Sequence, residues 1–180
     1  MRLLVLIMFF LLSTPFCYAQ KDLLTAKTRK QLEAQLDSAL LSKYYITLSD
    51  AEKILEKPAF LKDSTYKLSG GLLRYSFDYI AKSIDSTSKG KISFSLEQYK
   101  DTAISKSNYD FIKKQNEKDG AITLLENIGN DAFLKMDNLN QPFVMILKDN
   151  KIYRFRVFYL SSQSSLDALL SVSKKIVSNE

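Results

Sequence analysis

Along this chain the spacing of apolar positions changes period several times, and each change marks an element. Over 20–44, Leu24, Leu32, Leu36 and Leu40 recur in steps of four or eight among polar residues, without Gly or Pro. That spacing predicts an amphipathic helix. In Ile46-Thr47-Leu48-Ser49-Asp50-Ala51-Glu52-Lys53-Ile54-Leu55, Ser49 reads as an N-cap with Glu52 completing a capping box, so a short helix follows and Pro58 ends it. The stretch 59–69 has no period and reads as a loop. Over 72–80 the pattern alternates: Leu73, Tyr75, Phe77 and Tyr79 share one face, and Arg74, Ser76 and Asp78 the other. A polar, turn-rich stretch at 83–90 leads to a second strand over 91–99, where Ile92, Phe94 and Leu96 alternate with Ser93, Ser95 and Glu97. The two strands form a hairpin with one apolar and one polar face.

Helical spacing returns over 101–118, with Ile104, Tyr109, Phe111 and Ile112 for its apolar side and Gly120 to close it. The stretch 121–128 fits either a short strand or a helical turn. Gly129-Asn130-Asp131 turns the chain into a third strand over 132–136, and 137–141 forms another turn. Over 143–147 both faces are apolar, which predicts a central strand covered on each side. Asp149-Asn150 makes a tight turn into a last strand over 151–159, burying Tyr153, Phe155, Val157 and Tyr159 and projecting Arg154 and Arg156 oppositely. Ser164 or Ser165 caps a final helix with a stripe of Leu166, Leu169, Leu170, Val172 and Ile176. The order is α-α-β-β-α-β-β-β-α. Strands joined by short turns pair antiparallel, so the expected fold is α+β. It has a five-stranded antiparallel sheet with helices packed on it, as one domain over 45–180 that follows the 20–44 helix.

The first nineteen residues carry a different pattern. Arg2 precedes an unbroken apolar run from Leu3 to Leu12, broken by Ser13, Thr14 and Pro15. Cys17-Tyr18-Ala19 then places small residues at the outer and inner cleavage positions. This is the layout of a secretory signal peptide over 1–19, cut between Ala19 and Gln20. The run is about ten residues, half of what a spanning helix needs, so no transmembrane segment is expected in the mature chain. An acylated Cys17 is the alternative, but Pro15 and Phe16 stand where lipoprotein processing wants small residues. The reading is an exported protein, periplasmic or secreted.

Composition narrows the chemistry. The sequence has no histidine, and its one cysteine leaves with the signal peptide. Ser-His-Asp and Cys-His catalysis and zinc sites built from nitrogen and sulfur are thereby excluded. Carboxylate chemistry survives, as hard-cation binding or an acid/base pair. No carboxylates stand at calcium-loop spacing, and the five glycines form no phosphate-binding loop. No cofactor or metal is expected. The formal charge of +6 falls by one with Arg2, and basic residues are scattered among acids, so no nucleic-acid surface is expected.

The best candidate surface is the polar face of the sheet, from which Arg74, Asp78, Glu97, Lys135, Arg154 and Arg156 project. Arg154 and Arg156 stand two apart on one strand and could clamp a carboxylate, a phosphate or a sulfated sugar. Alternation alone also creates a solvated, salt-bridged face of this kind. Tyr44, Tyr45, Tyr66, Tyr75, Tyr79, Tyr99, Tyr153 and Tyr159 could line a sugar or peptide cleft, although most stand at the apolar parity of strands, where core packing is the simpler reading. Asp78 opposed to Glu97 across the first hairpin would supply the acid and base of a hydrolase.

Three segments give the chain a resemblance. They are Ile46 to Leu55, the turn Gly129-Asn130-Asp131-Ala132-Phe133, and the hairpin from Val144 to Val157 through Lys148-Asp149-Asn150-Lys151 with the helix at Leu166. Together they resemble small exported bacterial domains of the mycobacterial-type lipoproteins and of the extracellular sensor regions of membrane kinases. The resemblance implies an α/β sandwich, no enzymatic activity and a binding or sensing role; it transfers no site residues, and the extracellular cysteines usual there are missing here. The functional expectation is an exported binding module for a small ligand or an envelope partner. The alternatives are a protein that docks or forms a homodimer through its N-terminal helix, and a carboxylate hydrolase.

Overall fold

The computed structural model of the protein describes residues 45–82 and 90–178. The signal peptide and Ala19–Gln20 cut expected over 1–20, the helix expected over 20–44, Tyr44 and the residues 83–89 lie outside the described residues.

Helix α1 (Leu48–Leu55) starts two residues earlier than its sequence suggests. Thr47 is extended, its hydroxyl accepts from the Asp50 amide, and Asp50 Oδ2 accepts from the Thr47 amide at 3.1 Å. The capping box is therefore Thr47 with Asp50, not Ser49 with Glu52. Glu52 instead accepts from the Ala59 amide at 3.1 Å, tying the helix to the strand that follows.

That strand is β1 (Ala59–Ser69), where the sequence reads as a loop. It pairs with β2 (Leu72–Ala81) through the turn Gly70–Gly71, both glycines at positive φ. Next come β3 (Lys91–Gln98), α2 (Thr102–Lys118), β4 (Thr123–Leu124), β5 (Asp131–Met136), β6 (Pro142–Lys148), β7 (Lys151–Phe158) and α3 (Gln163–Ser178). All seven strands form one antiparallel sheet in the order β1-β2-β3-β7-β6-β5-β4. The α+β class stands, but the sheet has seven strands rather than five. The additions are its two edges, β1 and the two-residue β4. Among the described residues no helix is long and apolar enough to cross a membrane.

Register sorts every strand residue onto one of two faces. The first face carries Tyr79, Ile92, Phe94, Leu96, Tyr153, Phe155, Val157, Val144 and Ile146, all buried. It packs against Ile54 and Leu55 of α1 and, across β6, against α3, which buries Leu169, Val172 and Ile176. Tyr79 donates its hydroxyl to the Ile46 carbonyl at 3.0 Å.

Among the described residues, a helix covers the second face only over β5, β6 and β7. There Phe133, Met145, Leu147 and Ile152 pack with Tyr109 of α2. The buried side of α2 runs through Ser105, Tyr109, Ile112 and Asn116, so Ile104 and Phe111 face solvent rather than the core. Strand β6 is thus covered on both sides, as its apolar run predicts.

Two further expectations change at the C-terminal end. Tyr159 lies beyond β7 at φ 62 and is exposed, because the chain leaves the sheet there. Helix α3 is capped by Ser162, whose Oγ accepts from the Ser165 amide at 3.1 Å, and not by Ser164 or Ser165. Ser165 is buried instead and donates to the Ile54 carbonyl, joining α3 to α1. Lys175 pairs with Asp50 across the same two helices.

Candidate functional site

Where α2 ends, no described helix covers the second face of the sheet over β1, β2, β3 and part of β7. Its cross-strand rows follow from the register. One row runs Lys67, Arg74, Glu97 and Ile152; the next Thr65, Ser76, Ser95 and Arg154; the third Asp63, Asp78, Ser93, Arg156 and Phe143. Arg74, Asp78, Glu97, Arg154 and Arg156 therefore do share one face, with three serines between the charged groups. Lys135 has the same parity, but α2 covers it: its Nζ donates to the Asn116 carbonyl at 2.9 Å and lies 4.0 Å from Asp119. It does not join the open surface.

Glu97 is the fixed point of this face, at 1% exposure. Arg74 Nε donates to its Oε1 at 2.7 Å, and the Arg74 Nη2 bonds the same oxygen. Arg154 Nη2 reaches Oε2 at 2.7 Å, and the Tyr99 hydroxyl donates to Oε2 at 2.7 Å. Burial pushes the carboxyl up, but the Tyr99 hydrogen bond, the Arg154 charge and the Arg154 and Arg74 hydrogen bonds outweigh it and hold Glu97 below the usual range. Burial first, and then the bond to Glu97, push the Tyr99 phenol up to about 12. Glu97 is an ionised anchor with both oxygens occupied.

Asp78 does not oppose Glu97. Its cross-strand partner is Ser93, four residues along β3 from Glu97, a separation of about 13 Å at strand rise. Asp78 pairs instead with Lys91 at 2.8 Å. The register brings no acid/base couple together at these two carboxylates.

Arg156 behaves differently from its neighbours. It is exposed, with its guanidinium carbon 5.9 Å from the Phe143 ring and 5.6 Å from the Phe158 ring. Lys91 approaches Phe158 at 5.5 Å, so cations and rings alternate along this strip. Among the described residues Arg156 has no carboxylate partner. Arg154 is only 24% exposed and is committed to Glu97, so the two arginines differ in what they offer, although both stand on one face.

The described tyrosines divide between the two faces of the sheet, and Tyr159 lies beyond it. Tyr45, Tyr66, Tyr75, Tyr79 and Tyr153 lie on or against the first face, where Tyr45 meets Tyr75 at 5.1 Å and Phe77 at 5.2 Å. Of the described tyrosines, Tyr99 alone bonds a charged group of the open polar face. Its role, and those of Lys91, Phe143 and Phe158, were not singled out from the sequence. Parity was the available signal: Lys91 and Phe158 match Arg156, and Tyr99 follows Glu97 by two. No protein-family model matches the chain, and no curated protein or solved structure matches it. The resemblance set out above rests on its own residues alone.

Proposed function

We propose that this chain is an exported, non-enzymatic binding module that takes an oxyanion-bearing ligand on the open polar face of its sheet, with Arg156 as principal contact. One observation carries the reading: of the three arginines on that face, two are held by Glu97, while Arg156 is exposed and seated beside two aromatic rings. A guanidinium steadied by ring faces keeps its N–H edges turned outward, pre-set for bidentate contact with a carboxylate, phosphate or sulfate. Ser93, directly across from Arg156, and Ser95 beside it add hydroxyl donors. Glu97 faces Arg74 and Arg154 together, so the cluster keeps a net positive charge next to Arg156. Export rests on the signal pattern over 1–19.

The same geometry speaks for binding over hydrolysis. An acid catalyst needs a carboxyl whose proton is retained near neutral pH, and Glu97 is driven the other way.

Calorimetric titration with a sulfated disaccharide tests the reading. The wild-type chain binds, and Arg156→Ala weakens binding about tenfold, the loss of one charge-assisted contact at an exposed site. Unchanged affinity in the variant would remove Arg156 from the role. The intact mass of protein recovered from its producing cell tests export: a start at Gln20 supports it, and an uncleaved chain opposes it.

A further inference from the structure

Among the described residues the β1 edge of the sheet is free, and it offers a second surface. Strand β1 is eleven residues long, stands at the end of the strand order and, apart from Ala59 and the half-buried Tyr66, is exposed. The opposite edge, β4, has two residues. A long outer edge presents a row of unpaired backbone N–H and C=O groups that templates another strand. The one irregularity in β1 lies between Leu61 and Asp63, so the stretch from Asp63 to Ser69 is a regular edge.

We propose that β1 is a homotypic docking edge, pairing antiparallel with β1 of a second copy about a two-fold axis through Thr65. Strands related by such an axis show the same face on the same side, so residues of equal parity must oppose each other. Centring on Thr65 sets Asp63 opposite Lys67 of the second copy, and Lys67 opposite its Asp63. Both side chains are on the polar face, as their pairing with Asp78 and Arg74 shows. On the other face Ser64 opposes Tyr66. The irregularity at Lys62 then stops the ladder on each side. Centring on Tyr66 would leave Lys67 opposite Thr65 and Asp63 opposite Ser69, without ion pairs. Centring on Ser64 would draw the irregular residue into the ladder. Only the Thr65 register satisfies both charges and avoids the irregularity. The result is one continuous sheet in which the two polar faces, each with its Arg156, lie on the same side.

Two experiments test this on the full chain. In sedimentation equilibrium, Asp63→Lys and Lys67→Asp each weaken the dimer about tenfold, because two rim ion pairs become two like-charge contacts. The double exchange Asp63→Lys with Lys67→Asp restores it. A wild-type chain that stays monomeric, or a dimer that the single exchanges leave intact, overturns the proposal. Cross-linking reads the register. With Cys17→Ser, Thr65→Cys places two thiols on residues whose Cα atoms stand about 5 Å apart, within disulfide reach. Ser64→Cys places them about 8 Å apart, beyond it. Oxidation links the first variant and not the second; the reverse, or no link in either, contradicts the register.

Discussion

The sheet contains two hairpins built on the same plan and treated oppositely by the rest of the molecule. The β6–β7 pair and the β1–β2 pair are both antiparallel, and each is closed by a two-residue turn, Asp149–Asn150 in one and Gly70–Gly71 in the other. The first lies between α3 on one side and α2 on the other, and its Val144, Met145, Ile146, Ile152, Tyr153 and Phe155 are fully buried. The second meets α1 alone among the described helices, and of its outer strand only Ala59 is buried. Backbone pairing alone therefore does not decide how strongly a strand is held. Side-chain burial concentrates stability in β6 and β7 and leaves β1 and the polar face beside it open for contacts with other molecules.

The contrast can be broken with substitutions of falling effect. Phe155→Ala, in the doubly covered hairpin, is expected to cost about 4 kcal/mol in chemical denaturation, the usual range for a deleted core ring. Gly129→Ala comes next, at about 3 kcal/mol. Gly129 holds φ 64, and an added Cβ would run into the Leu147 carbonyl oxygen and Ile146 Cγ2 at the end of β6.

Glu97→Gln is expected to cost about 2 kcal/mol, discounted from a fully buried pair because Arg74 is 45% exposed. It also changes the acid limb. The folded-state pKa of Glu97 lies below its unfolded value of about 4.3, so its contribution is complete above that value and is lost as pH falls through the folded pKa. Wild-type stability should therefore fall more steeply than that of Glu97→Gln below about pH 4. Tyr99 acts at the other end: raised to about 12, its contribution is complete below the unfolded value of about 10 and is lost between the two. Thr47→Ala should cost about 1 kcal/mol through the lost cap. Leu68→Ala, 60% exposed at the tip of the outer hairpin, should stay within about 0.5 kcal/mol. A loss at Leu68 as large as that at Phe155 would erase the distinction between the hairpins.

The same difference in burial explains what could be read in advance. Strands β2, β3, β6 and β7 declare themselves because one or both faces meet a core, which imposes alternation or a continuous apolar run. Strand β1 has no such imprint: Lys62, Asp63, Ser64, Thr65 and Lys67 meet solvent, so its residues follow no period. Its only local mark is the Gly70–Gly71 hairpin turn. Thr47 and Ser49 both offer a cap hydroxyl, and the helix uses Thr47, whose capping box with Asp50 is closed by hydrogen bonds in both directions.

For the candidate surface, parity was enough to gather Arg74, Asp78, Glu97, Arg154 and Arg156 on one face. Register was not legible, and register decides that Glu97 meets arginines rather than Asp78. The covering of Lys135 by α2 depends on where a helix lands, which no strand pattern encodes.

Binding on this face requires that Arg156 be the available cation while Arg74 and Arg154 stay committed to Glu97. The direct measurement is the arginine Nε–H spectrum by nitrogen NMR during titration with inorganic sulfate. The Arg156 resonance is expected to move and saturate, while those of Arg74 and Arg154, pinned on Glu97, stay in place. Equal movement of all three resonances, or none at Arg156, would contradict it.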